Sequence, residues 1–274
     1  MTNIHGNIRK MVFIITQMKA LKPLLLMGGL FLMAFAFGFA YQVPLVIQVW
    51  PWSVSPLTYL FIGSILAAVS VAMFCIGWIE EYSALSAGAL NVFVIALTTT
   101  FYFIFLIVKE GRIGFWSYAL SGIASIAMSA WAFLWSRHLP IKDSRSTPRF
   151  VLFSFGIFTI ALILAAGALL LRKPIFPWTL TPESSVVFGC IFLGDAFYFI
   201  HALLYPRWHN AAGQLLSFLA YDLVLIFPFL RLFETVKPEF KLSLTVYVLV
   251  LIYSGLLAVY YLFINKGTRI VGNG

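Results

Sequence analysis

Long apolar runs separated by short charged or Pro/Gly-rich breaks dominate this chain. Eight of the runs reach the length of about 20 residues at which a helix crosses a bilayer. They fall at roughly 23–43, 57–79, 84–108, 113–136, 150–171, 183–205, 211–233 and 242–265. The longest hydrophilic stretch after the N-terminus is Arg137 to Arg149, too short for an extramembrane domain. Ahead of the first span, Ile4, Ile8, Met11, Val12, Ile15 and Met18 recur at helical spacing, with Arg9, Lys10 and Lys19 off that stripe. That pattern predicts an amphipathic segment lying on the membrane surface, with a frayed tail as the alternative. It does not read as a cleaved signal peptide, because the apolar stretch is short and no small-residue cleavage pattern follows.

Composition closes off the other classes. Hydrophobic residues make up 62% of the 274 and charged residues only 10%, whereas soluble domains run near a quarter charged. Too few polar side chains exist to coat a water-soluble enzyme, and the mean hydropathy of +0.99 excludes a disordered chain. The expected fold class is all-α, a polytopic membrane protein of about eight transmembrane helices. The net charge of +9 lies between the apolar runs, where basic residues orient helices and meet anionic headgroups, so membrane lipids and not nucleic acid are the expected contacts. An even number of spans puts both termini on one side. That side carries eleven of the basic residues against seven on the other, and the positive-inside rule makes it the cytoplasm. Seven of the eight tryptophans sit at span ends, and Trp131 lies about one turn deeper. Cys75 and Cys190 lie inside apolar runs with no metal or disulfide spacing and read as small buried hydrophobes.

An internal match divides the chain. Pro51-Trp52-Ser53-Val54-Ser55-Pro56 aligns with Pro177-Trp178-Thr179-Leu180-Thr181-Pro182 at an offset of 126. The same offset pairs Gly63 with Gly189, Phe101 with Phe227, Phe103 with Phe229 and Leu106 with Leu232. The reading is an N-terminal interfacial segment (1–22), a first four-helix repeat (23–136), a cytoplasmic linker (137–149), a second repeat (150–265) and a tail (266–274). Each half has an even number of spans, so the two would be parallel repeats about an axis along the membrane normal. Duplication by itself implies no moving parts.

The Phe176–Pro182 segment and Tyr205-Pro206-Arg207-Trp208-His209-Asn210 resemble segments of a group of uncharacterised bacterial multi-pass membrane proteins. The resemblance covers mainly residues 174 to 230. It implies a bacterial cytoplasmic membrane and brings no activity or functional residue with it.

Ionisable side chains inside a membrane are costly and are functional candidates by default. Span 6 carries Asp195 near its midpoint and His201 nearer the cytoplasmic end. Span 7 carries Asp222 near its midpoint, with Gln214, Ser217 and Tyr221 on one stripe, and Pro228 predicts a kink beyond it. Arg231 and Glu234 close that span, three residues apart and able to pair. If spans 6 and 7 are antiparallel neighbours, the two acids lie at similar depth. Held close in low dielectric they could not both ionise cheaply, which suits a proton carrier or cation site. Hydrogen bonds to Tyr198, Tyr221 or backbone groups are the structural alternative. At the repeat offset Asp195, His201, Asp222 and Arg231 correspond to Val69, Cys75, Ala96 and Phe105, so any chemistry is expected in the C-terminal half.

No cofactor or metal is expected. A membrane haem normally takes two histidines at matching depth, and only His201 lies well inside a span. Glu80 and Glu81 read as solvated loop charges. No catalytic triad spacing, phosphate loop or zinc-protease motif occurs, so enzyme activity has little support. In span 4, Ser117, Ser121, Ser125 and Ser129 repeat every four residues, a stripe for close helix packing against a neighbouring span, a second copy or a larger membrane complex. Two functions follow. The first is proton-coupled movement of a small solute, with Asp195 and Asp222 as protonatable groups, His201 as a relay and Arg231 as an outer gate charge. The second is a non-catalytic accessory subunit of a larger complex.

Overall fold

A computed structural model describes the backbone of residues 2–270 and the side chains from Ala20 onward. The predicted surface stripe of Ile4 to Met18 therefore falls outside the described side chains, and residues 271–274 of the tail outside the described residues. Among the described residues the chain forms eight long helices: α1 (Thr2–Ala40), α2 (Pro56–Ile79), α3 (Leu85–Glu110), α4 (Trp116–Ser136), α5 (Arg149–Leu170), α6 (Pro182–Leu204), α7 (Trp208–Leu232) and α8 (Lys241–Val259). Each contains a stretch long and apolar enough to span a membrane, in α1 from Ala20 to Ala40. The protein is thus an all-helical, multi-pass membrane protein, and the spans agree with the hydropathy pattern to within a few residues.

The helix ends have local causes. Ser55 and Thr181 cap α2 and α6, their hydroxyls accepting from the Thr58 and Ser184 N–H groups at 3.3 and 3.2 Å. Pro56 and Pro182 follow at the first helical position, where no N–H is needed. Gly111 stops α3 with φ +65°, the left-handed turn that glycine adopts without steric cost. In the last turns of α1 and α5 the wrap is the same. Val43 N–H reaches Gly38 O at 2.7 Å, and Lys173 N–H reaches Ala168 O at 2.8 Å.

Four helices, α2, α3, α6 and α7, make an inner layer in which α2 lies against α7 and α3 against α6. The other four cover it: α1 on α2, α5 on α6, α4 on α3 and α8 on α7. Exchanging the two halves of the chain returns the same set of pairs. Corresponding glycines sit at corresponding crossings. A Cβ on Gly63 would stand 2.7 Å from Ala36 O, and one on Gly189 would stand 3.1 Å from Ala166 O. The α6 span is the most interior, 61% buried, and the α4 span the least, at 17%.

The core centres on Phe61, fully buried, whose ring meets Phe176, Trp178 and Phe188 at centroid distances of 4.9, 5.8 and 5.1 Å. Phe176 and Trp178 come from the segment before α6, which folds inward so that Trp178 Nε1 donates to Thr58 Oγ1 at 2.9 Å. The sequence match in this segment therefore conceals a difference. Trp178 is satisfied in the core, whereas Trp52, its counterpart, stacks on Phe103 at 6.1 Å and finds no partner for its indole N–H among the described residues.

The start of the α1 span and the described tail lie on one face, which we call the terminal face. There the 137–148 segment is a tied strap. Glu81, expected as a solvated loop charge, is only 5% exposed. Its carboxylate accepts from the Lys142 and Asp143 backbone N–H groups at 2.9 and 2.7 Å and from the Ser83 hydroxyl. Anchoring these orphan donors is what draws the acid inward. Arg145 forks onto Asp143 at 2.6 Å and donates to Gly267 O at 3.1 Å, while Trp208 N–H donates to Arg145 O at 2.7 Å. The strap thereby joins elements from both halves of the chain.

Candidate functional site

The expected meeting of two acids does not form. Consecutive helices α6 and α7 touch only sparingly, notably where Gln214 Nε2 donates to Tyr198 O at 2.6 Å. Each lies instead against a different helix, and each aspartate follows its own helix. Asp195 faces α3, where its Oδ1 accepts from Asn91 Nδ2 at 2.8 Å. Asp222 faces α8, where its Oδ2 accepts from Ser254 Oγ at 2.9 Å. No hydrogen bond joins the two carboxyls among the described residues. The physical reason is the connection: the turn at Tyr205–Arg207 is bound to the strap, through Thr147 N–H on Pro206 O at 3.0 Å, and the two helices diverge from it.

A pair of tyrosines lies next to Asp222. Tyr221 and Tyr247 share a hydroxyl–hydroxyl hydrogen bond of 3.1 Å, and the Tyr221 hydroxyl lies within electrostatic reach of both aspartates. The inner layer thus holds two separate carboxyls, each bonded to one neutral donor, and Tyr221 of α7 pairs with Tyr247 of the covering helix α8. Several acceptors in the same layer are buried and have no hydrogen-bond partner among the described residues: Asp222 Oδ1, Asn91 Oδ1 and Gln214 Oε1.

Asn91 and Ser254 were not anticipated from the sequence. Asn91 is a carboxamide in a first-half span, a rare residue there, and that rarity was the available signal. Its role corrects the expectation that any polar chemistry is confined to the C-terminal half, because Asp195 takes its partner from α3. Ser254 carried no signal, since a lone serine in a span ordinarily bonds its own helix. Its hydroxyl is 2.7 Å from Val250 O as well as close to Asp222.

The remaining candidates separate. His201 is buried, its ring against Tyr205 and Phe133 at 4.9 and 6.2 Å, with no hydrogen-bond partner for Nδ1 among the described residues. It makes no contact with either aspartate among the described residues, standing six positions, roughly 9 Å of helix rise, from Asp195. Tyr198 places its hydroxyl near Gly213, which a Cβ there would approach to 3.3 Å. Arg231 is exposed in the last turn of α7 and forms no ion pair with Glu234 among the described residues. In α4 the hydroxyls of Ser121, Ser125 and Ser129 bond the carbonyls of Tyr118, Ser121 and Ser125 at 2.9, 2.9 and 2.6 Å. These groups are spent within their own helix, and Ser117 is exposed. The close approach of α4 to α3 is made instead by Gly122 over Thr100.

Among the described residues no group of three or more His, Cys, Asp and Glu side chains could hold a metal ion. Comparison with protein-family models, with curated proteins and with solved structures finds no match to this chain. Function is therefore read from the geometry.

Proposed function

We propose that the protein moves protons, coupled to a small solute, across a bacterial cytoplasmic membrane in which both termini face the cytoplasm. The observation that carries this reading is Asp222. It is a 5% exposed carboxyl at mid-span, with one oxygen on a serine hydroxyl and, among the described residues, the other unbonded and no ion pair to a cation. A fixed charge there is expensive, and a merely structural acid would be expected to have both oxygens satisfied. Asp195, bonded to Asn91 of α3, supplies a second exchange point, and His201 stands toward the terminal face. Arg231 is left out of this path because it lies exposed at the opposite end. The matched caps at Ser55 and Thr181 and the matched glycine crossings support reading the chain as two parallel four-helix repeats, with the acids added to one of them.

The test is proton flux into proteoliposomes containing a trapped pH dye, driven by a potassium diffusion potential. Asp222→Asn and Asp195→Asn should each cut the flux about tenfold or more while the protein still elutes as a folded species, a loss of at least about 1.4 kcal/mol in barrier terms. Wild-type flux equal to that of both variants would overturn the proposal. A second reading, an accessory subunit of a larger complex, is favoured by one feature, the largely uncovered α4. Stoichiometric copurification of another membrane protein, lost on α4 substitution and not on aspartate substitution, is its signature.

A further inference from the structure

On the face opposite the termini, α1, α2 and α7 leave a groove of about 340 Å3. It runs from Met33 to Tyr41 along α1, with Gly63 and Ala67 of α2 as its floor and Val224 and Pro228 of α7 as its far wall. Eight residues of helix rise give it a length of roughly 12 Å, close to one leaflet of a hydrocarbon core about 30 Å thick. The floor is shallow in side chain because Gly63 brings α2 against the α1 backbone. The walls are hydrocarbon, with the Tyr41 hydroxyl at the outer end, where Tyr41 is 78% exposed. At that same end stands Arg231. Val224, Pro228 and Arg231 are spaced i, i+4, i+7 and so form one stripe of α7. Arg231 therefore sits about one turn beyond Pro228 on that stripe, exposed and forming no ion pair with Glu234 among the described residues.

We propose that this groove is a lipid-binding site that seats one acyl chain of an anionic phospholipid, with the phosphate on Arg231. Groove length matches a leaflet-long chain, and a guanidinium at the mouth matches a phosphate in geometry and charge. A hydrocarbon-lined cleft in a membrane protein opens onto acyl chains already at high concentration, so the basic mouth is what selects among headgroups. The site lies apart from the aspartates and does not rest on the transport reading.

Native mass spectrometry of the whole protein, titrated with dioleoyl phosphatidylglycerol or dioleoyl phosphatidylcholine, tests it. The anionic lipid should be retained several-fold better by the wild type. Arg231→Gln should bring it down to the level of the zwitterionic lipid, and Arg231→Lys should restore part of the preference. Val224→Trp, which fills the groove, should weaken retention of both lipids, while Leu249→Trp on the exposed face of α8 should not. Equal retention of the two lipids by the wild type, or a preference unchanged in Arg231→Gln, sinks the proposal. Displacement of bound lipid by millimolar glycerol phosphate would also count against it, because the site would then be one for free phosphate and not for an acyl chain.

Discussion

Asn91 on α3 donates to Asp195 on α6 at 2.8 Å, a hydrogen bond between the two halves of the chain within the inner helix layer. Its other carboxamide atom, Oδ1, is buried without a partner among the described residues. Replacing Asn91 with Leu leaves the Asp195 carboxyl without its donor, whereas Asp195→Asn keeps a polar pair. Asn91→Leu is therefore expected to lower stability by about 1–2 kcal/mol, and Asp195→Asn by clearly less. Thermal melts in mild detergent separate the two.

The strap on the terminal face depends on a single carboxylate. Glu81→Ala removes the acceptor for two backbone N–H groups and a serine hydroxyl, and a hydrogen bond to a charged acceptor is worth about 1.5–3 kcal/mol. The expected result is earlier melting together with faster proteolysis between Lys142 and Ser146. Glu81→Gln should fall between the two, because it keeps one acceptor oxygen.

Acid should loosen the same face. The Lys22 ammonium, and then that of Lys142, hydrogen-bond to Glu80 and hold its carboxyl below the ordinary value of 4.5. At Asp143 burial opposes ionisation, yet the hydrogen bonds from the Arg145 side chain and backbone outweigh it, and this carboxyl is also lowered, from 3.8. A carboxyl depressed by folding adds stability above its unfolded value and loses it as pH falls through the folded one. Melting temperature should accordingly drop below about pH 4.5, and Glu80→Gln with Asp143→Asn should flatten that decline. An unchanged acid slope in the double variant would show that these pairs do not govern it.

The two glycine crossings should respond alike but unequally. A methyl group on Gly63 meets the Ala36 carbonyl at 2.7 Å, which only a backbone shift can relieve, whereas on Gly189 the contact with Ala166 O is 3.1 Å. Overpacking of this kind costs typically about 1–3 kcal/mol, so Gly63→Ala should melt well below Gly189→Ala. Gly88→Ala, where nothing lies within 4 Å, serves as the neutral control.

The number and placement of the spans were set by local composition, because a bilayer demands some 20 apolar residues with their own backbone bonded, and that demand is written residue by residue. The caps at Ser55 and Thr181 and the stop at Gly111 are equally local, each set by one residue beside its helix end. Which helices touch was not. A helix such as α6 is apolar on nearly every side, so its sequence does not say whether Asp195 turns toward α7 or α3, and adjacency in the chain suggested the wrong neighbour. Glu81 was misjudged likewise: its acceptors become valuable only when a strap sixty residues away brings bare N–H groups to it. Partner choice for Asp195, Asp222 and Glu81 is a property of helix layering, and that layering comes from fitting Phe61, Trp178 and two close glycine crossings into one interior.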